Sequence, residues 1–117
     1  MTHRLVILGG GESGIGAAIL GKQKGYEVLA RRLQTGAGEI DLVVGNAQSL
    51  VFVEVKARAN LADASYALLP RQQAKLLRAA EAALANHAEW ARAETRFDVA
   101  LVAQGDIRMI ENALWLS

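Results

Sequence analysis

An acidic residue on one predicted strand, together with an acidic residue and a lysine on the next, forms the group of side chains best suited to catalysis. Asp41 lies in the segment GEIDLVV, and Glu54 and Lys56 lie in VFVEVKAR. Glu54 and Lys56 are two positions apart, so both project from the same face of a strand. If the two strands pair as a hairpin, Asp41 reaches that face too. The sequence therefore predicts two carboxylates and one ammonium group at one place on a sheet.

This combination is suited to the hydrolysis of a phosphodiester. Mg²⁺ and Mn²⁺ prefer oxygen ligands, usually one or two carboxylates together with water and substrate phosphate. A bound metal lowers the pKa of water and stabilises charge on the phosphate, and a lysine orients or deprotonates that water or neutralises the transition state. We therefore take Asp41, Glu54 and Lys56 as candidate catalytic residues. Asp41 and Glu54 are the candidate metal ligands, and Mg²⁺ or Mn²⁺ is the candidate cofactor.

An exposed Glu–Lys ion pair on a sheet face is the competing interpretation, because globular proteins use such pairs widely. The spacing of the charges leaves both interpretations open. The apolar neighbours of Glu54 in VFVEVK favour the first one, since charge in a central strand is costly unless it is paired or bound to a metal.

Hydrophobic periodicity predicts the elements that would position these residues. The predicted strands are Tyr26–Arg32, Glu39–Val44, Leu50–Lys56, Phe97–Ala103 and Ile107–Ile110. Turns are predicted at Thr35–Gly38 and Gly45–Asn46. The residues predicted to lie on the face opposite Asp41 are Ile40, Leu42 and Val44. Pro70 is suited to begin a helix, which we predict from Arg71 to about Glu89. Its apolar stripe consists of Leu76, Leu77, Ala80, Ala83 and Leu84.

The N-terminal segment shows a second pattern. Residues 4–8 are typical of a buried parallel strand, and glycines spaced as G-x-G-x-x-G lead into a predicted helix at residues 14–24. With the strand at Tyr26–Arg32 they would form a parallel strand–helix–strand unit. In such a loop, backbone N–H groups at the helix N-terminus bind phosphate. The candidate phosphate-binding residues are Gly9, Gly11, Ser13 and Gly14.

Two arginines at the end of the second strand narrow the choice of ligand for such a loop. A dinucleotide-binding fold has an acidic residue at that place, whereas this chain has Arg31 and Arg32. The pattern argues against NAD and leaves a phosphate-containing small ligand as the candidate.

Length and composition limit the number of domains and the kinds of site and partner that the chain can have. The chain has 117 residues, and we assign residues 1–117 to a single domain. It has no cysteine, which excludes disulfides, thiol catalysis and cysteine-ligated metals. No apolar run reaches the roughly 18–20 residues that a membrane span needs, so we expect a cytoplasmic protein without a membrane partner. A net charge of +1 does not indicate a strong nucleic-acid binder, although local patches matter more than the sum. The oligomeric state is open.

From Gly25 onward the chain resembles the YraN family, which has a PD-(D/E)xK nuclease-like fold. The matching segments are GYEVLARR, GEIDLV, LVFVEVKAR, PRQQAKLLRAA, RFDVALV and IENA. The resemblance implies a restriction-endonuclease-like core, in which helices flank a mixed sheet, and a divalent metal. It also implies that Asp41, Glu54 and Lys56 correspond to the nuclease motif, with nucleic acid, DNA or RNA, as the candidate partner.

Residues 4–28 resemble the start of the MurD ligase family, in which the glycine loop helps to hold the UDP part of the substrate. No ATP-binding or ligase segment follows. The YraN family carries a glutamate on its first helix, and Gly14 stands at the corresponding position. We therefore interpret the chain as an engineered chimera, with a MurD-like strand, glycine loop and helix at residues 1–25 and a YraN-like core at residues 26–117.

The predicted fold is α/β, in two or three layers. A mixed sheet joins an N-terminal parallel βαβ unit to the nuclease-like core, in the order β-α-β-β-β-α-β-β. The favoured function is an engineered protein without established activity that carries the remnant of a nuclease site. An active Mg²⁺- or Mn²⁺-dependent nuclease and a phosphate- or nucleotide-binding module built on the Gly9–Gly14 loop are the alternatives.

Two further groups of polar residues have structural interpretations. Arg71, Lys75 and Arg78 share one face of the predicted helix, which suits phosphate contacts but is also typical of a solvated surface, the interpretation we favour. Asp98 is predicted to fix local structure through Arg96 rather than to bind a metal.

Overall fold

The computed structural model describes residues 4–6, 25–57, 70–103 and 106–111. These residues form six β-strands, one α-helix and one 3₁₀-helix. In chain order the elements are β1 (Arg4–Val6), β2 (Glu27–Thr35), β3 (Gly38–Gly45), β4 (Ser49–Ala57), α1 (Pro70–Asn86), the 3₁₀-helix Ala88–Trp90, β5 (Glu94–Ala103) and β6 (Asp106–Ile110). The helix predicted at residues 14–24 lies outside the described residues.

All six described strands belong to one sheet, in the order β1–β6–β5–β4–β3–β2. Strands β4 and β5 are parallel, and the other neighbouring pairs are antiparallel. The sheet is therefore mixed, and together with helix α1 it confirms the predicted α/β class.

The prediction of a parallel βαβ unit at the N-terminus is wrong. Strand β1 pairs antiparallel with β6, with Leu5 opposite Ile107, whereas β2 lies at the other edge of the sheet, next to β3. A short strand satisfies its backbone groups at any free sheet edge. The apolar pattern of residues 4–8 does not distinguish between the two edges, which is why the sequence suggested the nearer strand.

Strands β4 and β5 form the centre of the sheet. Their parallel ladder pairs Ser49–Ala57 with residues 94–102. Phe52, Val53 and Val99 have no exposed surface, as expected for a parallel pair that is buried on both faces. Two of the three candidate catalytic residues therefore stand on the most buried pair of strands in the described sheet.

Two short turns connect the strands that lead to the candidate site. Between β2 and β3, the Thr35 hydroxyl donates to the Gly38 carbonyl at 2.6 Å. Between β3 and β4, the side-chain oxygen of Asn46 accepts the N–H groups of Gln48 and Ser49 at 2.9 and 2.7 Å, which makes an Asx turn. Both turns confirm the predicted positions and the predicted hairpin.

Helix α1 packs against one face of the sheet. Its residues Leu76, Ala80 and Ala83 are buried, and Ala80 and Ala83 pack in a cluster with Val43 and Phe52. These three helix residues belong to the predicted apolar stripe, which the structure confirms for them. Neither of the two described helices is long and apolar enough to cross a membrane.

The helix ends three residues earlier than predicted. Its last residue is Asn86, and the ring of His87 then stacks on Trp90 with 4.0 Å between centroids. Arg92 donates to the carbonyls of Asn46 at 2.6 Å and Trp90 at 2.8 Å. These contacts tie the segment after α1 to the β3–β4 turn. They depend on residues far apart in sequence, so helical periodicity does not reveal them.

A buried ion pair lies on the face of the sheet remote from α1. Asp98 is fully buried, and its carboxylate accepts two hydrogen bonds from Arg96, Nε to Oδ1 at 3.0 Å and Nη2 to Oδ2 at 3.1 Å. In register, Asp98 is opposite Val53, which packs in the cluster on that face. The prediction that Asp98 fixes local structure through Arg96 is confirmed.

We expect Phe52→Ala to lower the free energy of unfolding by roughly 3–5 kcal/mol. Phe52 is fully buried, and its ring stacks on that of Phe97 with 5.4 Å between centroids. Urea denaturation measures the loss. Phe97→Ala is the matched control and should cost less, because Phe97 is only partly buried. Equal losses in the two variants would contradict the central position assigned to Phe52.

Candidate metal centre

Glu54 and Lys56 project from strand β4 towards helix α1. Lys56 Nζ lies 2.9 Å from Glu54 Oε2, and the Lys56 and Glu54 side chains are 27% and 23% exposed. Their register partners on β5 are Val99 and Leu101, which pack with Leu76 of α1. The two side chains therefore share one face of the sheet, as their spacing predicted, and form a partly buried ion pair there.

Asp41 reaches the same place through a hydrogen bond to the neighbouring strand. The ladder between β3 and β4 ends at the pair Leu42–Val53. Beyond that pair, Asp41 Oδ2 accepts the Val55 N–H at 2.8 Å. The carboxylate thus occupies a position where a main-chain acceptor would continue the ladder, and this places it next to Glu54.

Strand β3 changes its alternation beside Asp41. Leu42 and Val44 pack in the cluster remote from α1, whereas Ile40 packs in the cluster on the α1 side. The prediction that these three residues share one face is therefore wrong for Ile40. On β2, Arg32 stands opposite this point in the register and has a φ of 50°, a left-handed conformation that is uncommon outside glycine. At this irregular point the Asp41 side chain bonds to β4 through the Val55 N–H.

The carboxyl groups of Asp41 and Glu54 influence each other. Burial raises the pKa of the Asp41 carboxyl above its ordinary value, and the hydrogen bond from Val55 opposes that effect. The negative charges of Glu54 and then Glu39 raise the pKa of Asp41 further. Two carboxylates this close are unfavourable in their ionised forms unless a cation lies beside them.

A pocket of about 260 Å³ opens beside this group. Glu54 and Lys56 line it from the sheet, and Gln72 and Lys75 line it from the first turns of α1. Gln72 was not among the residues predicted from the sequence. The helix residues that line the pocket lie at i, i+3, i+4 and i+7, a spacing that marks one helical face, and they are Gln72, Lys75, Leu76 and Ala79. Only the packing of α1 shows that this face meets the candidate site.

Glu39 also lines the pocket, but strand β2 holds it. Gln34 Nε2 donates to Glu39 Oε1 at 2.8 Å, and Arg32 Nε donates to Oε2 at 3.4 Å. Both oxygens of Glu39 have partners on β2, whereas the contacts above engage one oxygen each of Asp41 (Oδ2) and Glu54 (Oε2), so these two remain the candidate ligands.

The donor set fits Mg²⁺ or Mn²⁺ better than zinc. Within the described part of the chain, no group of three or more His, Asp or Glu side chains is arranged to hold a metal. Zinc sites need three or four protein ligands, whereas Mg²⁺ uses one or two carboxylates and completes its shell with water and substrate phosphate. Glu54 lines the pocket, and Asp41 lies close enough for the charge of Glu54 to raise its pKa, so this pair of carboxylates fits the second requirement. The candidate phosphate-binding residues lie outside the described residues, and they are Gly9, Gly11, Ser13 and Gly14.

Comparison with known proteins places most of the chain in a single family. A family model described as Uncharacterised protein family UPF0102 matches residues 15–102, which is 88 of the 117 residues. The chain belongs to this family. UPF0102 and the YraN family are the same family, so the resemblance found in the sequence is confirmed.

Individual relatives agree with this assignment. The chain is 51% identical over 90 residues to a UPF0102 protein of Acidiphilium cryptum, covering 77% of this chain and 70% of the relative. It is 52% identical over 82 residues to one of Rhodopseudomonas palustris, covering 70% and 63%. The chain thus spans between about three fifths and seven tenths of these relatives. Pyrococcus furiosus SfsA in complex with Ca²⁺ gives a TM-score of 0.32 at 15% identity, with coverage of 87% and 59%, a likeness too distant to support an assignment.

The interpretation of the chain as a chimera finds no support. The family match begins at residue 15, inside the segment of residues 4–28 that resembles MurD. UPF0102 therefore accounts for residues 15–28 without a second parent, and the comparisons give no evidence for a MurD-derived portion at residues 1–25. An apolar strand followed by glycines and a helix occurs in many unrelated folds, which explains why a short resemblance misled.

We expect Asp41→Asn to raise the thermal midpoint of the metal-free protein at about pH 7. The pKa of Asp41 is raised in the folded state, so stability is lost as the pH rises through the folded pKa and the carboxyl ionises. Asparagine keeps an oxygen that accepts the Val55 N–H but carries no charge. Thermal unfolding in EDTA at a series of pH values measures the difference between the two proteins.

The difference in thermal midpoint between Asp41→Asn and wild type should shrink as the pH falls to the ordinary pKa of an aspartate and below it. Asp41 then becomes protonated in both the folded and the unfolded chain. The remaining carboxyl groups titrate in both proteins, so the difference isolates Asp41 and its coupling to Glu54. A variant that is less stable than wild type at every pH would contradict the close carboxyl pair.

Proposed function

We propose that this chain is a metal-dependent phosphodiesterase of the nuclease type, in which Asp41 and Glu54 bind Mg²⁺ or Mn²⁺ and Lys56 acts on the substrate phosphate. The observation that carries the proposal is the convergence of two carboxyl groups and one ammonium group beside a pocket. Lys56 lies 2.9 Å from Glu54, and Asp41 accepts the N–H of Val55, the residue between them, so that the charge of Glu54 raises the pKa of the Asp41 carboxyl. Membership of UPF0102 supports it, because this family resembles the PD-(D/E)xK nucleases.

Asp41 is oriented for this role by the backbone. The Val55 N–H holds Oδ2 at 2.8 Å, which fixes the carboxylate at the end of the β3–β4 ladder. Asp41 binds a cation as the carboxylate, so a bound metal would oppose the rise in the pKa of Asp41 that burial causes. When bound, the metal lowers the pKa of a water molecule and stabilises the charge that develops on the phosphate.

Lys56 is held at the pocket by its ion pair with Glu54. The lysine side chain is about a quarter exposed, so a phosphate oxygen in the pocket has access to Nζ. There the ammonium group neutralises charge in the transition state, and it orients the attacking water by donating a hydrogen bond to it. In the free protein the same ammonium group offsets the charge of Glu54.

The competing interpretation is an ion pair that only stabilises the sheet. A pair of Glu54 and Lys56 does not account for Asp41, which adds a second acidic group beside it in a half-buried position. In the metal-free protein this second group costs stability, as the raised pKa of Asp41 implies. A divalent cation removes that cost, so the charge balance favours a metal site.

The first test of the proposal is stabilisation by metal. Mg²⁺ or Mn²⁺ at about 100 times its dissociation constant should stabilise the wild-type protein by about 2.7 kcal/mol. Asp41→Asn and Glu54→Gln should abolish the shift in thermal midpoint, because each removes one ligand charge. Glu81→Gln, at an exposed position on α1, is the matched control and should keep the wild-type shift. An unchanged shift in Asp41→Asn would place the metal elsewhere.

The second test is cleavage. Wild-type protein with Mg²⁺ or Mn²⁺ should cleave at least one of three labelled substrates, namely single-stranded DNA, duplex DNA and RNA. Lys56→Gln should lower kcat by roughly a hundredfold or more while the metal-induced shift in midpoint persists. Glu81→Gln, purified in the same way, should retain the wild-type rate. A contaminating nuclease would be equally present in every preparation, so a loss of cleavage confined to Lys56→Gln assigns the activity to this protein. No cleavage of any substrate, or equal cleavage by Lys56→Gln, would show that the proposal is wrong.

A further inference from the structure

The basic side chains in the described part of the chain fall into two groups, those with partners and those without. Arg32 pairs with Glu39, Lys56 with Glu54 and Arg96 with Asp98, and Arg92 binds backbone carbonyls. Four others make no hydrogen bond or ion pair anywhere within the described ranges, and they are Arg31, Arg71, Lys75 and Arg78. Three of these four lie on helix α1.

The three basic residues of α1 form a row on one face of the helix. Arg71, Lys75 and Arg78 lie at i, i+4 and i+7, a spacing that places side chains above one another along a helix. All three are exposed. At a rise of 1.5 Å per residue the row is about 10 Å long. Glu81 is the acidic residue of α1, so this helix carries three positive charges and one negative charge.

Lys75 connects this row to the candidate metal centre. It lines the same pocket as Glu54 and Lys56. Its aliphatic chain crosses Gly38, where a Cβ would lie only 3.1 Å from Lys75 Cε. Gly38 also has a φ of 142°, a conformation that other residues rarely adopt. The glycine of the GEID segment therefore leaves the space in which the lysine side chain lies beside the site.

We propose that Arg71, Lys75 and Arg78 bind consecutive backbone phosphates of a nucleic-acid strand. The inference rests on the function proposed above, because it places the strand so that one phosphodiester reaches Asp41, Glu54 and Lys56 while its neighbour contacts Lys75. A small phosphodiester offers a single phosphate, and Lys56 with the metal would satisfy it. The row is about 10 Å long, its middle member Lys75 lines the pocket, and its cations have no partner within the described ranges. Such a row instead matches a polymer of phosphates.

A solvated helix face is the competing interpretation of the same residues, and it makes a different prediction. Each phosphate contact releases condensed counterions, so the logarithm of the binding constant falls with the logarithm of salt concentration by about 0.7 per contact for single strands and about 0.9 for duplexes. A row of solvated cations that touches no phosphate leaves this slope unchanged when one of them is removed.

The experiment measures binding of a fluorescently labelled DNA oligonucleotide by anisotropy, over a range of salt concentrations. EDTA is present, so that neither metal binding nor cleavage is required. Lys75→Gln should weaken binding at about 0.1 M salt by roughly fivefold to tenfold and reduce the salt slope by about 0.7–0.9. The triple variant at Arg71, Lys75 and Arg78 should reduce the slope by about 2–3.

Arg31→Gln is the matched control, because it removes the same charge from an exposed position that has no partner among the residues the structure describes. Arg31 lies opposite Leu42 in the register, and Leu42 packs on the face remote from α1. This control should keep the wild-type affinity and slope. If wild type does not bind, or if Arg31→Gln weakens binding as much as Lys75→Gln, the row is not a phosphate-binding surface.

A kinetic comparison separates this inference from the proposed function. In the presence of metal, Lys75→Gln should raise KM for an oligonucleotide several-fold more than KM for bis(4-nitrophenyl) phosphate, with little change in kcat, because the small substrate has one phosphate and the oligonucleotide has several. Hydrolysis of the small substrate together with an unaltered KM for the oligonucleotide would overturn the row and leave the phosphodiesterase standing. If binding depends on the row but no substrate is cleaved, the proposed phosphodiesterase activity is wrong. The placement of one phosphodiester at Asp41, Glu54 and Lys56 is then wrong too.

Discussion

The hydrogen bond from the Val55 N–H to Asp41 Oδ2 determines the geometry of the candidate site. It lies where the ladder between β3 and β4 ends, and a side chain replaces the main-chain acceptor there. A carboxylate that accepts a backbone N–H is held in one orientation, so Asp41 is positioned by the sheet itself. Glu54 and Lys56 are on β4 on either side of Val55, and the same bond therefore brings all three groups together.

Acidic side chains on the two faces of the sheet differ in how they are paired. On the face remote from α1, the buried Asp98 has a guanidinium of its own, and Arg96 satisfies both of its oxygens. On the α1 face, Asp41 and Glu54 are neighbours and the ion pair found there is with Lys56. A fully paired buried charge maintains structure, whereas a surplus of carboxylates at the edge of a pocket leaves capacity for a cation.

Helix α1 packs in the core with one side and lines the pocket with another. Leu76, Ala80 and Ala83 close the core against the sheet, which fixes the rotation of the helix about its axis. That rotation brings Gln72 and Lys75 to the pocket and leaves the remaining basic residues exposed. The placement of positive charge beside the acidic site is thus a consequence of core packing, because a helix cannot turn one face without turning the others.

Much of the fold and part of the candidate site are encoded locally in the amino-acid sequence. Alternating apolar residues and turn-forming residues defined β3, β4 and their hairpin, since side-chain direction in a strand has a period of two and is set locally. The same period showed that Glu54 and Lys56 share a face. Helix α1 was predicted from its apolar stripe, and the pair Arg96–Asp98 from its spacing. The short resemblance at residues 4–28 misled because its strand, glycines and helix are common to many folds.

Features that depend on distant contacts were decided by the packing of the whole chain. Strand β1 pairs with β6 rather than with β2. The sequence did not predict this choice, because both edges of the sheet offer the same unpaired backbone groups. The break in alternation at Asp41 follows from its bond to Val55, fourteen residues away. Gln72 and Lys75 joined the site only through the packing of α1. Local sequence sets the direction of each side chain within its own element, but which elements meet, and at what register, depends on the free energy of the whole packed core.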